Sequence, residues 1–248
     1  MNPIVALILI ICIVVLIVYL IRYTMGNGYT LQEGVRNGRD MSSFSSSSLA
    51  SMGSNAPAGN FAYSVWFYVN DWNYRFGEAK VLFGRMKPSN TNISGLGVSG
   101  TEPCPLVQFN SNANDLEIYL QNYSTTANSS STTPFKCAVS NIPIQRWVNL
   151  SISVYGRTLD VYLNGKLVKT CVMPGIAKID NASELSLTPG GGFEGWTSKF
   201  AFYPMPMNPQ DAYDIYVKGP TGMFSGLSAY QLQLALLNNG QTVSSASF

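Results

Sequence analysis

From Phe61 onward, apolar and polar residues alternate in short runs, and this alternation restricts the folds that the chain can adopt. The first run, FAYSVWFYV, places Phe61, Val65 and Val69 on one side of an extended chain. A period of two puts successive side chains on opposite faces of a strand, so each run predicts a half-buried β-strand. Further runs of this kind begin at Val81, Leu106, Leu116, Val148, Leu159, Leu185 and Phe200. The sequence therefore predicts an all-β body.

The breaks between these runs carry residues that form tight turns. Asn164-Gly165 is the dipeptide typical of a type I′ hairpin, and Gly156 with Arg157 separates two consecutive strands. Many short strands at even spacing, with Gly, Pro and Asn between them, indicate a two-sheet antiparallel sandwich. We predict that this domain covers residues 60–220.

The same segments resemble the concanavalin A-like, laminin G-like jelly-roll family over residues 60–219. Four pieces carry the resemblance in order: Trp147 at the start of a strand, the hairpin Asn164-Gly165-Lys166, the strand at 193–203 and the segment 206–216. The resemblance implies a jelly-roll sandwich, in a family whose members include sugar- and protein-binding modules and some glycan hydrolases. Each piece also has a purely structural interpretation, in which Trp147 packs in the core and the Asn-Gly turn sets the hairpin register.

The charge content of the chain excludes several classes of partner. Charged residues make up only 11% of the chain and the net charge is +2, without any cluster of Lys and Arg. This lacks the basic surface that nucleic-acid binding needs. The chain has no histidine, the commonest general base and zinc ligand, and no closely spaced Asp residues of the kind that bind calcium. We expect no nucleic-acid partner, no metal and no cofactor.

Two carboxylates are the candidates for catalysis. Asp115 and Glu117 are two residues apart and share one face of a predicted strand. Glycan hydrolases of this fold carry alternating carboxylates in an E-x-D-x-E arrangement, which is missing here. The pair suits a solvated outer face equally well, so we predict no catalytic residues and a protein that is not an enzyme.

The four cysteines do not form a dense disulfide framework. Cys12 lies in the apolar head, and Cys104, Cys137 and Cys171 lie in the body, where three cysteines cannot all pair with one another. They are either three small buried apolar residues, or Cys104 and Cys137 form a disulfide in an oxidising compartment.

An apolar segment occupies the N-terminal head of the chain. It begins at Pro3 and ends at Ile21, which gives nineteen uncharged residues closed by Arg22. A helix of this length covers about 28 Å at 1.5 Å per residue, close to the roughly 30 Å hydrocarbon core of a bilayer. A signal peptide and a buried helix are the alternatives, but no Lys or Arg precedes the segment and it is long for a signal peptide. We predict a single-pass membrane anchor over residues 1–23.

We predict that the body lies on the cytoplasmic side of the membrane, with a lumenal or extracellular body as the alternative. Arg22, Arg36 and Arg39 all follow the apolar segment, which favours a cytoplasmic body. Asn-x-Ser sequons, which could carry glycans in a lumenal or extracellular body, occur at Asn92, Asn122, Asn128, Asn149 and Asn181.

The segments on either side of the body have different compositions. Residues 24–59 are rich in Ser, Gly and Asn, which predicts a flexible linker. Residues 221–248 form a tail in which Ser228 and Gln231 make a capping box, predicting a short C-terminal helix. This helix would dock on its own sandwich or on a neighbouring subunit through one apolar face: Leu227, Tyr230, Leu234 and Leu237.

Three functions are compatible with these features. The first is a membrane-anchored, non-enzymatic adaptor that docks onto other proteins of an assembly, since this layout resembles minor capsid proteins that link the inner membrane and capsid of large DNA viruses. The second is a cell-surface, carbohydrate-binding lectin, and the third is a glycan hydrolase. The first is our prediction, with the other two as alternatives.

Overall fold

The computed structural model describes residues 13–14, 29–52, 59–90, 93, 95–123, 133–221, 233–238 and 241–247. The strands, in chain order, are β1 (Thr30–Gln32), β2 (Arg36–Asn37), β3 (Ser42–Phe44), β4 (Phe61–Asp71), β5 (Lys80–Arg85), β6 (Leu106–Phe109), β7 (Leu116–Leu120), β8 (Phe135–Val139), β9 (Trp147–Tyr155), β10 (Thr158–Leu163), β11 (Lys166–Val172), β12 (Leu185–Leu187), β13 (Glu194–Tyr203), β14 (Gln233–Asn238) and β15 (Gln241–Ser247). Two short helices, α1 (Ser46–Ser51) and α2 (Pro209–Val217), and a 3-10 turn at Pro189–Gly191 accompany them.

Two antiparallel sheets form the body. Sheet I has the strand order β1-β13-β4-β9-β10-β11, with β2 also paired to β13. Sheet II has the order β3-β12-β5-β6-β7-β8. The predicted all-β, two-sheet antiparallel sandwich is therefore confirmed.

The core lies between the two sheets and is built from the alternating residues. Strand β9 shows this most clearly, because Val148, Leu150, Ile152 and Val154 all contribute to the core. Their partners in β4 are the apolar residues of the opening run, with Val65 opposite Leu150 and Phe67 opposite Val148. The predicted inward face of both strands is confirmed.

The hairpin between β10 and β11 has the predicted turn. Leu163 pairs with Lys166, so Asn164 and Gly165 form a two-residue loop. Their φ angles are 51° and 71°, as a type I′ turn requires, and Gly adopts this conformation without steric cost.

The linker prediction for residues 24–59 is wrong for the part between Thr30 and Ser51. This part supplies β1 and β2 to sheet I, β3 to sheet II and the helix α1, whose Leu49 is fully buried. Strand pairing satisfies the backbone hydrogen bonds of a Ser-rich segment even when its side chains offer little apolar area. The sandwich therefore begins before residue 60.

Neither interpretation of the three body cysteines is right: Cys104 and Cys137 form no disulfide, and the three are not all unpaired. Cys137 in β8 is bonded to Cys171 in β11, and Cys104 is a free, buried thiol. Strands β8 and β11 are edge strands of different sheets, so the bond links the two sheets along one open side of the sandwich.

The two ends of the chain are described only in part. Pro3, Ile21 and Arg22, which delimit the predicted anchor, lie outside the described residues. Within the described ranges, the structure contains no helix with the length and apolar character needed to cross a bilayer.

The C-terminal tail differs from its prediction. Leu227 and Tyr230 lie outside the described residues, while Leu234 and Leu237 lie in β14, which pairs with β15. The predicted helix is therefore wrong over residues 233–238. Asn239-Gly240, which we interpreted as a helix stop, separates the paired residues Asn238 and Gln241, and this dipeptide is typical of two-residue hairpins.

Candidate functional site

The outer face of sheet I carries the candidate site, and helix α2 covers part of that face. Ala212 of the helix packs with Ala62 of β4 and Tyr162 of β10, while Tyr216 stacks on Trp66 with ring centroids 5.7 Å apart. The ammonium group of Lys199 donates to the carbonyls of Lys218 and Gly219, which binds the C-terminal end of the helix to β13. The helix is thus fixed by packing and by hydrogen bonds, and the neighbouring part of the face stays open.

Three aromatic residues form a row across this open part. In the sheet register, Trp196 of β13 lies opposite Tyr68 of β4, and Tyr68 lies opposite Trp147 of β9. The Tyr68 ring centroid is 5.3 Å from that of Trp196 and 5.8 Å from that of Trp147, with the planes inclined by 65° and 67°. Trp196 is 39% exposed and the other two are half-buried. We call these three residues the aromatic row.

Two irregularities in β13 set the position of Trp196. The register of β13 against β4 shifts between Glu194 and Gly195, and again between Ser198 and Ala201. Gly195 has a φ of 153°, and a Cβ there would lie 1.8 Å from the Tyr68 carbonyl oxygen. Bulges change the direction of side chains on a strand, and here they flank the most exposed member of the row.

Polar groups surround the aromatic row. Asn37 of β2 lies opposite Trp196, and Asn70 follows Tyr68 on the same face of β4. Gln145 donates from its backbone N–H to the Val69 carbonyl at 2.8 Å and from its side chain to the Asn70 carbonyl at 3.5 Å. Its φ is 56°, a left-handed conformation that non-glycine residues seldom adopt outside functional or turn positions.

The charged group nearest to the row along β13 is neutralised. Glu194 forms an ion pair with Arg39, and the Arg39 guanidinium also lies 4.4 Å from the centroid of the Tyr74 ring. The row is therefore bordered by three exposed amides, Asn37, Asn70 and Gln145, and by a carboxylate that already has a cationic partner.

A second polar cluster lies on the outer face of sheet II and is centred on Glu117. The carboxylate accepts hydrogen bonds from Lys136 and Asn110 on one oxygen, each at 2.7 Å, and from Gln108 at 3.0 Å and Tyr119 at 2.9 Å on the other. Gln108 also binds the backbone of Gly95 and Gly97, which closes the 95–98 loop over the cluster. We call this arrangement the Glu117 network.

The environment of Glu117 keeps the carboxyl group ionised. Burial by itself would raise its pKa, but the hydrogen bonds from Lys136, Asn110, Gln108 and Tyr119 together outweigh burial, and the pKa is lowered. Both oxygens are occupied by donors, so the group is neither a free general acid nor a free nucleophile. The interpretation of Asp115 and Glu117 as a solvated face is wrong for Glu117, which is buried, while Asp115 accepts a hydrogen bond from the Asn141 backbone N–H.

Only one member of the aromatic row stood out in the sequence. One interpretation of the sequence placed Trp147 in the core, but Trp147 lies on the outer face of sheet I. The alternation contained the signal, because a strand that turns Val148 inward must turn Trp147 outward. Among the described residues, no group of His, Cys, Asp and Glu side chains is arranged to hold a metal ion.

Comparisons with known proteins find structures of similar fold but no matching family. No family model matches the sequence, and no curated protein matches it either. Among solved structures, the CBM40 domain of the Ruminococcus gnavus IT-sialidase, bound to α2,3-sialyllactose, matches with a TM-score of 0.53 and 10% identity, over 75% of this chain and 98% of that chain.

Botulinum neurotoxin binding domains are also similar. The serotype D domain, in complex with N-acetylneuraminic acid, matches with a TM-score of 0.51 and 11% identity over 77% of this chain and 50% of that chain. The serotype G domain matches with a TM-score of 0.47 and 14% identity over 64% of this chain, so the chain spans only 36% of that domain's length. The likenesses to CBM40 and to the serotype D domain support the β-sandwich, jelly-roll fold.

Proposed function

We propose that this protein is a non-enzymatic carbohydrate-binding module whose ligand stacks on the aromatic row. The observation that carries this proposal is the placement of Trp196, Tyr68 and Trp147 side by side on three adjacent strands, partly exposed on an open sheet face. Other exposed aromatic residues, such as Phe76, Tyr155 and Tyr213, contact no second aromatic ring among the described residues. The aromatic row differs from them because it brings three rings together on one face.

The chemistry of the surface suits a sugar. A pyranose ring presents an apolar face of C–H groups and a rim of hydroxyls, so it needs aromatic surface for the face and hydrogen-bonding groups for the rim. The aromatic row supplies the first, and the amides of Asn37, Asn70 and Gln145 supply the second. Binding sites for small ligands generally combine aromatic surface with a few placed polar groups in this way.

The structural neighbours support a binding module over the adaptor that we predicted. The CBM40 domain, which the chain covers almost completely, was solved with sialyllactose, and the serotype D toxin domain, of which the chain covers half, was solved with N-acetylneuraminic acid. A place in a viral capsid gains no support from these likenesses. The Glu117 network gives no support to a hydrolase, because its carboxylate is held by four donors.

Glycan binding of the full chain in detergent tests this proposal. The wild-type protein and the Trp196→Ala variant are compared by isothermal titration with oligosaccharides that the wild type retains on a glycan array. We expect Trp196→Ala to weaken binding at least about tenfold, as loss of an aromatic anchor does. The matched control is Tyr155→Ala, because Tyr155 is 64% exposed at the opposite end of β9 and should not matter. Equal loss in both variants, or no loss in either, would remove the proposal.

Membrane attachment remains part of the proposal. The apolar segment from Pro3 to Ile21 is the predicted anchor, and the Cys137–Cys171 disulfide favours a body in an oxidising compartment, opposite to the cytoplasmic side that the flanking arginines favour. Protease added outside intact cells should therefore digest the body. Digestion only after the membrane has been opened would contradict an extracellular body.

A further inference from the structure

We infer that the glycan bound at the aromatic row is an uncharged oligosaccharide rather than an acidic one. This inference rests on the proposed function and adds the class of ligand. It differs from what the sugars in the neighbouring structures would suggest, since both of those ligands contain sialic acid.

The groups at the edge of the row are neutral hydrogen-bonding groups. Asn37, Asn70 and Gln145 are exposed, and each amide can both donate and accept. Hydroxyl groups of neutral sugars also donate and accept, so amides match them in either direction. A carboxylate only accepts, and its recognition generally uses Arg or Lys in charge-assisted bonds.

Two of the cations near the row are already engaged. Arg39 pairs with Glu194 and lies over the Tyr74 ring, and the Lys199 ammonium binds the carbonyls of Lys218 and Gly219. Recruiting either cation would break these contacts.

Arg36 of β2 is exposed and without an ion pair among the described residues, but it lies opposite Thr197, on the other face of β2 from Asn37 and Trp196. Arg146 is therefore the residue that tests the inference. It is exposed, it directly precedes Trp147, and it forms no ion pair within the described part of the chain. If the ligand were acidic, Arg146 would be its counter-ion. If the ligand is neutral, the charge of Arg146 should contribute nothing to the binding affinity.

The width of the row indicates more than one sugar ring. Trp196, Tyr68 and Trp147 occupy three neighbouring strands, and two strand spacings amount to about 10 Å. That distance exceeds one pyranose ring. We therefore expect oligosaccharides to bind more tightly than the corresponding monosaccharides.

The test compares matched glycans on the full chain in detergent. An array carries neutral oligosaccharides next to the same oligosaccharides extended by a sialic acid or containing a uronic acid, with lactose and α2,3-sialyllactose as one such pair. We expect the wild-type protein to retain the neutral members and the Trp196→Ala variant to lose them. Binding of the neutral members to the wild type should persist at about 0.5 M NaCl, where the Debye length is only about 4 Å. Arg146→Gln should change their affinity by less than about twofold.

The other outcomes separate the two proposals. Retention of acidic members only, abolished by salt and by Arg146→Gln, would overturn the neutral ligand and leave carbohydrate binding standing. Retention of neutral members that Trp196→Ala does not affect would overturn both the site and its ligand. Retention of no glycan by the folded wild-type protein would overturn the proposed function together with this inference.

Discussion

Trp196 and Tyr68 face each other from strands β13 and β4, with ring centroids 5.3 Å apart and planes inclined by 65°. This edge-to-face pair lies on the outside of the sandwich, whereas most aromatic contacts among the described residues join core residues such as Phe67 and Phe109. An aromatic pair of this kind contributes about 0.5–1.5 kcal/mol beyond the area that it buries. Because the pair is partly exposed, it can contact a ligand and contributes less to stability than a buried pair.

Truncating Trp196 should therefore affect stability less than truncating a core aromatic residue. We expect Trp196→Ala to lower the free energy of unfolding by about 2 kcal/mol, because the residue is 39% exposed and loses its contact with Tyr68 together with the apolar area that it buries. Phe109→Ala should cost about 3–5 kcal/mol, since Phe109 is fully buried between the sheets. Urea denaturation of both variants measures the difference. A cost for Trp196→Ala equal to that of Phe109→Ala would show that the row is structural.

Gly195 should be required for the geometry of the row. We expect Gly195→Ala to destabilise the domain by at least about 2 kcal/mol, because the added Cβ would lie 1.8 Å from the Tyr68 carbonyl oxygen and the φ of 153° disfavours a side chain. Gly34→Ala is the control, since a Cβ there meets no atom within 4 Å. Thermal unfolding of both variants checks the prediction, which fails if the two variants melt together.

The Glu117 network should make the domain sensitive to acid. The pKa of Glu117 is lowered in the folded state, so its contribution to stability is present above the ordinary value of 4.5 and is lost as the pH falls through the folded pKa. Glu117→Gln should remove this part of the acid dependence and destabilise the domain by about 2–4 kcal/mol at neutral pH. Stability is measured by denaturant titration at several pH values from neutral to acidic.

Glu78→Gln provides the matched control for this experiment. Glu78 pairs with Arg75 on the surface, where the Glu78 side chain is 60% exposed. Its replacement should change stability by less than about 1 kcal/mol and leave the acid dependence intact. An unchanged acid profile in Glu117→Gln would contradict the role that we assign to the network.

The cysteines should behave differently from one another. Replacing Cys137 and Cys171 together by Ser should cost about 3–4 kcal/mol, as expected for a disulfide that closes a loop of 34 residues. Cys104 should resist alkylation in the folded protein, because burial raises the pKa of its thiol to about 12. Urea denaturation of the double variant measures the first effect, and peptide mapping by mass spectrometry after alkylation measures the second. A peptide that links Cys104 to Cys137 would contradict the structure.

The features that depend on burial within one strand, or on one tight turn, could be predicted from the sequence. Val148, Leu150, Ile152 and Val154 could be assigned to the core because one buried face leaves a period of two in the sequence. The Asn164-Gly165 turn was equally predictable, because few residues adopt positive φ at two successive positions.

Contacts that depend on the order of strands in the sheets could not be predicted from the sequence. Trp196 and Tyr68 are more than one hundred residues apart in the sequence, and they meet because β13 pairs with β4. Cys137 and Cys171 meet because their strands lie at the edges of opposed sheets. The linker prediction between Thr30 and Ser51 and the helix prediction over residues 233–238 were wrong for the same reason, because strand pairing prevailed over local composition.

The indole N–H signals of the four tryptophans provide the most direct test of carbohydrate binding at the aromatic row. In a 15N-labelled protein titrated with a retained glycan, the signals of Trp147 and Trp196 should shift together and saturably. Trp66, which is buried under helix α2, and Trp72, which packs against Phe109, should stay in place as internal controls. Shifts confined to Trp66 or Trp72, or four signals that do not move while the glycan binds, would contradict the assignment of the row as the binding site.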